Sequence, residues 1–178
     1  GNLIRRVYKH TPVILGGIEA SLRRLAHYDY WSDRLKRSVL LDSGADLISY
    51  GMGERSIIAI AEALDSGIQV KDLTFIPGTV YKTKSTDSVY DAIRLPSYEE
   101  LKEDRLSYAR SFYIQYSNTD PYSGKTLVEP YGEHLFVVQN PPQRQLTETE
   151  MDEIYGYPYM RTFHPSYQKE GGIPAVSE

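Results

Sequence analysis

Hydrophobic positions are grouped unevenly along the chain, and the grouping predicts its elements. Leu3, Ile4 and Val7 fall on one helical face, which Pro12 cuts short, so Leu3 to Lys9 reads as the tail of a helix. Val13-Ile14-Leu15 is apolar on both faces and ends at Gly16-Gly17, the pattern of a central strand in a parallel sheet. A short helix from Glu19 to Leu25 follows, with Leu22 and Leu25 inward and Arg23 and Arg24 on its polar side. Asp46 to Tyr50 repeats the strand signal and stops at Gly51-Met52-Gly53. Glu54 then opens a helix from about Arg55 to Leu64, whose apolar face is Ile57, Ile58, Ile60, Ala61 and Leu64 and whose natural stop is Gly67. Two strand–glycine–helix units in succession predict a right-handed parallel crossover in a doubly wound sheet.

Between these units, Ala26 to Ser32 packs His27, Tyr28, Asp29, Tyr30 and Trp31 into one aromatic connection ahead of an amphipathic stretch from Asp33 to Leu41. Beyond Pro77-Gly78 the pattern changes: Thr79 to Lys82 predicts a strand, Ser97 to Tyr116 a long helix, and Thr126 to Gln139 a hairpin turning near Gly132-Glu133. Leu101, Tyr108, Ala109, Phe112 and Tyr116 are expected on one face of that helix. Ser97 with Glu100 and Thr147 with Glu150 have capping-box spacing, the second opening a short helix that ends near Tyr155. Gly156 to Glu178 lacks a helical or strand period but carries Tyr157, Tyr159, Phe163, His164 and Tyr167, too aromatic for a disordered tail. The expected fold class is therefore α/β: a partial doubly wound parallel sheet, then an α+β extension with a β-hairpin and an irregular aromatic C-terminal segment. The expected boundaries are 1–78, 79–155 and 156–178.

Composition narrows the classes. The 178 residues are 40% hydrophobic and 25% charged, ordinary globular usage. A net charge of −4 offers no global positive field, which argues against nucleic acid and anionic lipid as partners. No apolar stretch approaches the length of a membrane span and no signal-peptide pattern is present, so the expected setting is cytoplasmic, with no membrane partner. The chain contains no Cys. It therefore has no disulfide, no thiolate zinc site, no cysteine-held iron–sulfur cluster and no cysteine nucleophile of its own.

The best chemical candidates are the glycines at the strand ends, Gly16, Gly17, Gly51 and Gly53, with Glu19 and Glu54 beside them. Glycine lets backbone approach a ligand closely, and the helix start behind it offers unpaired N–H groups; the competing reading is a tight turn that needs positive φ. Neither loop is a dinucleotide fingerprint or a Walker loop, since the further Gly or Gly-Lys-Ser/Thr is missing. His10, His27, His134 and His164 lack the spacing of a helical metal site, and surface or core roles are favoured for them. Asp29 and Asp33 flank Tyr30-Trp31 as candidate ligands or general acid–base groups, although helix capping would account for Asp33. The pairs Arg5-Arg6 and Arg23-Arg24 and the group Arg34-Lys36-Arg37 read as solvated helix faces, because acidic residues are interspersed. Sixteen Tyr residues against four Phe point to half-buried aromatic positions and interfaces; single-stranded RNA binding would need a basic groove as well.

The stretches VILGGIEASLRRLAHYDYWSDRLKRSVLLDSGADLISYGMGE, IPGTVYK, DPYSGKTLVEPYG, VVQNPP and YGYPYMRTFHPSYQKEGGIPAVSE closely resemble the YgiQ family of radical S-adenosylmethionine (SAM) proteins, essentially over the whole chain. The resemblance implies a region that lies before the catalytic barrel. It implies residues 1–78 as the second half of a cobalamin-binding-like, flavodoxin-like α/β domain, and residues 156–178 as a connector toward a radical SAM barrel whose Cys-x3-Cys-x2-Cys motif follows Glu178. In cobalamin-binding relatives the glycines matching Gly16, Gly17, Gly51 and Gly53, with Glu54, face the cofactor; the loop with the cobalt-ligating His is upstream, so cobalamin is not carried over to this chain. The implied parent uses a [4Fe–4S] cluster and SAM, while this stretch holds no cofactor itself.

Two function classes follow. The first is an N-terminal accessory domain that gates or shapes the active site of a radical SAM enzyme, with the barrel of its own chain as partner and the loops and Tyr28 to Trp31 facing the barrel mouth. The alternative is a stand-alone small-ligand or protein-binding α/β module without redox chemistry. Either leaves a homodimer open through an exposed sheet edge.

Overall fold

The computed structural model describes residues 1–177, which fall into two compact units divided between Gln145 and Leu146. In chain order the first unit contains α1 (Asn2–Val7), β1 (Ile14–Leu15), α2 (Gly17–Leu22), β2 (His27–Asp29), β3 (Arg34–Lys36), α3 (Val39–Asp42), β4 (Leu47–Ser49), α4 (Glu54–Asp65) and a 3-10 turn at Val70–Asp72. It continues with β5 (Thr79–Thr83), β6 (Ala92–Arg94), α5 (Tyr98–Glu103), α6 (Arg105–Ser117), β7 (Thr126–Pro130) and β8 (Phe136–Gln139).

Six of these strands form one sheet in the order β1-β4-β5-β8-β7-β6, with strands from both sides of residue 78. The first two units supply the expected parallel pair, Ile14 opposite Leu47 and Leu15 opposite Ile48, and β6 with β7 is a second parallel pair. The sheet is mixed: β5 runs antiparallel to β4 and to β8, and β7 and β8 form the expected hairpin. Its interior strands are apolar on both faces because both faces are covered. Ile48, Val80, Leu127 and Val137 point to one core, with Ala20 of α2 and Leu40 of α3. Their chain neighbours Leu47, Tyr81, Val128 and Val138 point to the other, with Ile60 of α4. The period of two assigns the cores, and helices on opposite faces give the layering of a wound α/β sheet.

Several local expectations change. Leu22, Ile57 and Ile58 are exposed, and Leu25 and Ile60 carry the packing of their segments. The aromatic connection is a β2–β3 hairpin, and Asp33 sits at its turn with φ 49°, not at a helix cap. The long helix is two helices, broken where Asp104 leaves helical geometry at φ −128°, ψ 115° and caps the second. Of its expected inward face only Leu101 is buried; Phe112 and Tyr116 are exposed, and Ser111 is the buried position of α6.

The second unit holds α7 (Glu148–Gly156), opened by the Thr147–Glu150 capping box, then a 3-10 turn at Pro165–Glu170 and α8 (Pro174–Ser177). The region expected to lack regular period thus carries short helical turns. The 3-10 turn ends at Gly171, whose φ of 92° suits glycine.

Candidate functional site

The parallel pairing of β1 with β4 makes both glycine loops leave the sheet on one edge, at the carboxyl ends of the two strands. There Gly16, Gly17, Ser49, Gly51, Gly53 and Glu54 line one cavity of about 410 Å3, floored by the ends of β1. Five of the six candidate residues are brought together. Glu19 is the exception: its carboxylate pairs with Arg23 at 2.8 Å on the exposed side of α2.

Two glycines are demanded by geometry. Gly17 at φ +84° and Gly51 at φ +70° occupy the left-handed region that side chains disfavour, and a Cβ on either would meet nothing within 4 Å. Ser21, one turn into α2, ties these loops together. Its hydroxyl donates to the Gly17 carbonyl at 2.9 Å and accepts from the Gly51 N–H at 3.1 Å.

Polar groups are held at the cavity without partners. Ser49 is 7% exposed, and its Oγ has no hydrogen-bond partner among the described residues; the same is true of Glu54 Oε2. Gly53, the N-cap of α4, provides no side-chain cap, and a Cβ there would stand 3.1 Å from Ser49 Oγ. A buried hydroxyl and a buried carboxylate oxygen left unsatisfied are costly in an ordinary interior, and both belong to residues that line this cavity.

Beside it, sharing Gly51, lies a second cavity of about 320 Å3 that also takes in Ser21, Arg24, Tyr50, Met52 and Gln139. The Arg24 guanidinium donates through Nε to Gln139 Oε1 at 2.7 Å and through Nη1 to the Ser21 carbonyl at 2.6 Å, and lies 5.1 Å from the Tyr50 ring centroid. Burial lowers its pKa from the ordinary value. Burial likewise raises that of Tyr50, whose hydroxyl donates to the Asn140 carbonyl at 2.6 Å.

Behind these loops, Glu129 of β7 is fully buried. Its Oε2 accepts from the Ala26 N–H at 2.8 Å and from the Tyr131 hydroxyl, which in turn accepts from the Ser38 N–H at 2.9 Å; Oε1 has no partner among the described residues. Desolvation pushes the Glu129 carboxyl up to about 7, against the pull of these hydrogen bonds and of Arg24. Tyr131 is raised as well, by burial and then by the Glu129 charge.

The remaining candidates lie elsewhere. Tyr28 lines a separate cavity with Asp33, Arg34, Lys36, Tyr98 and Tyr108, and donates its hydroxyl to Asp33 at 2.6 Å. Asp29 accepts from the Ser32 N–H at 3.2 Å and from its hydroxyl, and these bonds lower its pKa. His27 contacts the Leu25 carbonyl at 3.1 Å, with its pKa lowered by burial. Arg5 pairs with Asp46 at 2.6 Å and Arg37 with Asp42. Among the described residues no group of three or more His, Cys, Asp or Glu is placed to hold a metal ion, and no helix is long and apolar enough to cross a membrane. Sequence reasoning missed Ser21, Ser49, Arg24 as a lining residue and Glu129. Only Ser21 left a signal, being four residues beyond a strand-end glycine.

Among curated proteins the chain is 49% identical over 177 residues to UPF0313 proteins of Clostridium botulinum, covering 99% of this chain and 27% of theirs. A UPF0313 protein of Clostridium perfringens is 47% identical over 178 residues, again with 27% of its length covered. The chain thus spans about a quarter of the curated relatives it matches. No solved structure matches it. The sequence model of the family described as Radical SAM N-terminal matches residues 1–178, and on that whole-length match the chain belongs to the Radical SAM N-terminal family.

Proposed function

We propose that this chain is the N-terminal accessory region of a radical SAM enzyme of the YgiQ type, and that its strand-end edge shapes the mouth of the catalytic barrel carried by the rest of that protein. The observation that carries the reading is the convergence of Gly16, Gly17, Gly51, Gly53 and Glu54 on one cavity, with Ser49 Oγ and Glu54 Oε2 unsatisfied in its wall. Family membership supports the class of the parent. The residues present do not fit the cofactor that class implies. A radical SAM centre holds its [4Fe–4S] cluster on three thiolates, and this chain has no Cys, so the thiolates for the cluster belong to residues outside 1–178. What this chain contributes is shape, hydrogen-bonding groups and exclusion of water at the edge. A second reading, a small-ligand module independent of any barrel, is favoured by the fact that the cavities at this edge are formed by the chain itself.

The test uses the parent-length protein, reconstituted anaerobically with iron and sulfide and assayed for 5′-deoxyadenosine from SAM. Product is expected; a parent without three closely spaced Cys beyond Glu178, or without product, overturns the enzyme reading and leaves the module. Gly53→Leu then tests the edge. Gly53 has φ −94°, open to any residue, but its Cβ would press on Ser49 Oγ at 3.1 Å. Turnover is expected to fall about tenfold or more with the melting temperature retained. Unchanged turnover would remove the edge from the mechanism.

A further inference from the structure

We propose that the cavity around Arg24 is a binding site for a small organic anion, whose carboxylate or phosphate pairs with the Arg24 guanidinium while its apolar body lies along Met52, Pro121 and Pro142. The chain carries 24 acidic residues and a net charge of −4, yet no Asp or Glu lines this cavity, whereas Arg24 and Arg144 both do.

Arg24 is fixed as a binding group, not left as a solvated one. Its two bonded nitrogens are spent on neutral oxygens, Gln139 Oε1 and the Ser21 carbonyl, and its Cζ stands over the Tyr50 ring. Gln139, which orients it, is 1% exposed. Among the described residues Arg24 forms no ion pair, and Nη2 has no hydrogen-bond partner. A charge held in a desolvated place without a counterion is costly, and an anion that reaches it gains the pairing. The titratable groups whose fields it feels are Tyr50 and then Glu129, whose own carboxyl burial pushes up to about 7.

Arg144 adds a second cation, seated over the Tyr122 ring at 5.8 Å. Met52, Pro121 and Pro142 supply an apolar wall. At about 320 Å3 the volume is at the small end of ligand pockets, room for one ring or a short chain with a single acidic group. The site lies wholly within residues 21–145, so the proposal does not depend on the radical SAM reading.

The test is a titration of the isotope-labelled chain, followed by amide NMR, with phenyl phosphate, benzoate, inorganic phosphate and neutral benzamide. Phenyl phosphate or benzoate is expected to shift the Gly51 and Met52 amides, with affinity that weakens as salt is added. Tighter phenyl phosphate assigns a phosphate ligand and tighter benzoate a carboxylate. Arg24→Gln is expected to raise Kd about tenfold or more, with Arg24→Lys in between. Benzamide binding as well as benzoate, unchanged affinity in a folded Arg24→Gln protein, or no shifts with any anion overturns the proposal. Should Arg24→Gln fail to fold, Arg144→Gln on the exposed rim decides: weaker, less salt-sensitive binding supports the site, and unchanged binding refutes it.

Discussion

Glu129 shows what a single side chain does behind the strand-end loops. Its Oε2 gathers the Ala26 N–H and the Tyr131 hydroxyl, and through Tyr131 the Ser38 N–H, so one buried carboxyl ties the β7–β8 hairpin to both flanks of the β2–β3 hairpin. Its folded pKa of about 7 lies above the ordinary carboxyl value. The folded state therefore binds more protons than the unfolded one between those two values, and this stabilisation is complete below the ordinary value and lost as pH rises through about 7. Chemical denaturation between pH 5 and 8 should show stability falling by on the order of 2 kcal/mol from this group. Glu129→Gln should remove that slope, at a lower but pH-independent baseline because its amide lacks a partner where Oε1 now lies. A slope unchanged in the variant would assign it to another group. None of this was legible in the sequence, where Glu129 reads as one acid in a strand and its burial depends on neighbours more than a hundred residues away, such as Ala26. The glycine loops were legible because strand-end glycines mark themselves locally.

At the scale of elements, local signals were read best where they were self-contained. Both capping boxes form as spaced, since each depends only on residues three apart. The two glycine-terminated strands and the C-terminal hairpin were read for the same reason. The break between α5 and α6 was missed because Leu101 and Tyr108, on either side of the charged stretch 102–105, are seven residues apart and fit one helical face. The deciding residue is Asp104, whose carboxylate accepts from the N–H groups of Leu106 and Ser107, both at 3.0 Å. Asp104→Ala should destabilise the protein by about 1 kcal/mol in urea unfolding. An effect near zero would mean that the helix-to-helix turn is set by packing of Leu101 and Ser111 instead. Periodicity also misplaced the inward face of α6, because it finds which residues share a side but not which side is covered. The β2–β3 hairpin was hidden by its three-residue strands and by a turn residue, Asp33, that only the fold shows at positive φ.

Large aromatic side chains of the first unit are left uncovered. Trp31 is 89% exposed at the hairpin tip, and Phe112, Tyr113 and Tyr116 stand out from α6. Exposed aromatic rings of this kind are the side chains that partner-binding surfaces use. If the rest of the parent protein is that partner, hydroxyl-radical footprinting should label Trp31 and Phe112 several-fold less in the parent-length protein than in this chain. Equal labelling would place the barrel elsewhere.

The Ser21 hydroxyl, shared between the Gly17 carbonyl and the Gly51 N–H, has a mechanical corollary. It pins the lips of the two neighbouring hollows to a common rivet. Cutting it, as Ser21→Ala would, unfastens both lips at once, since the one hydroxyl is donor in the first bond and acceptor in the second.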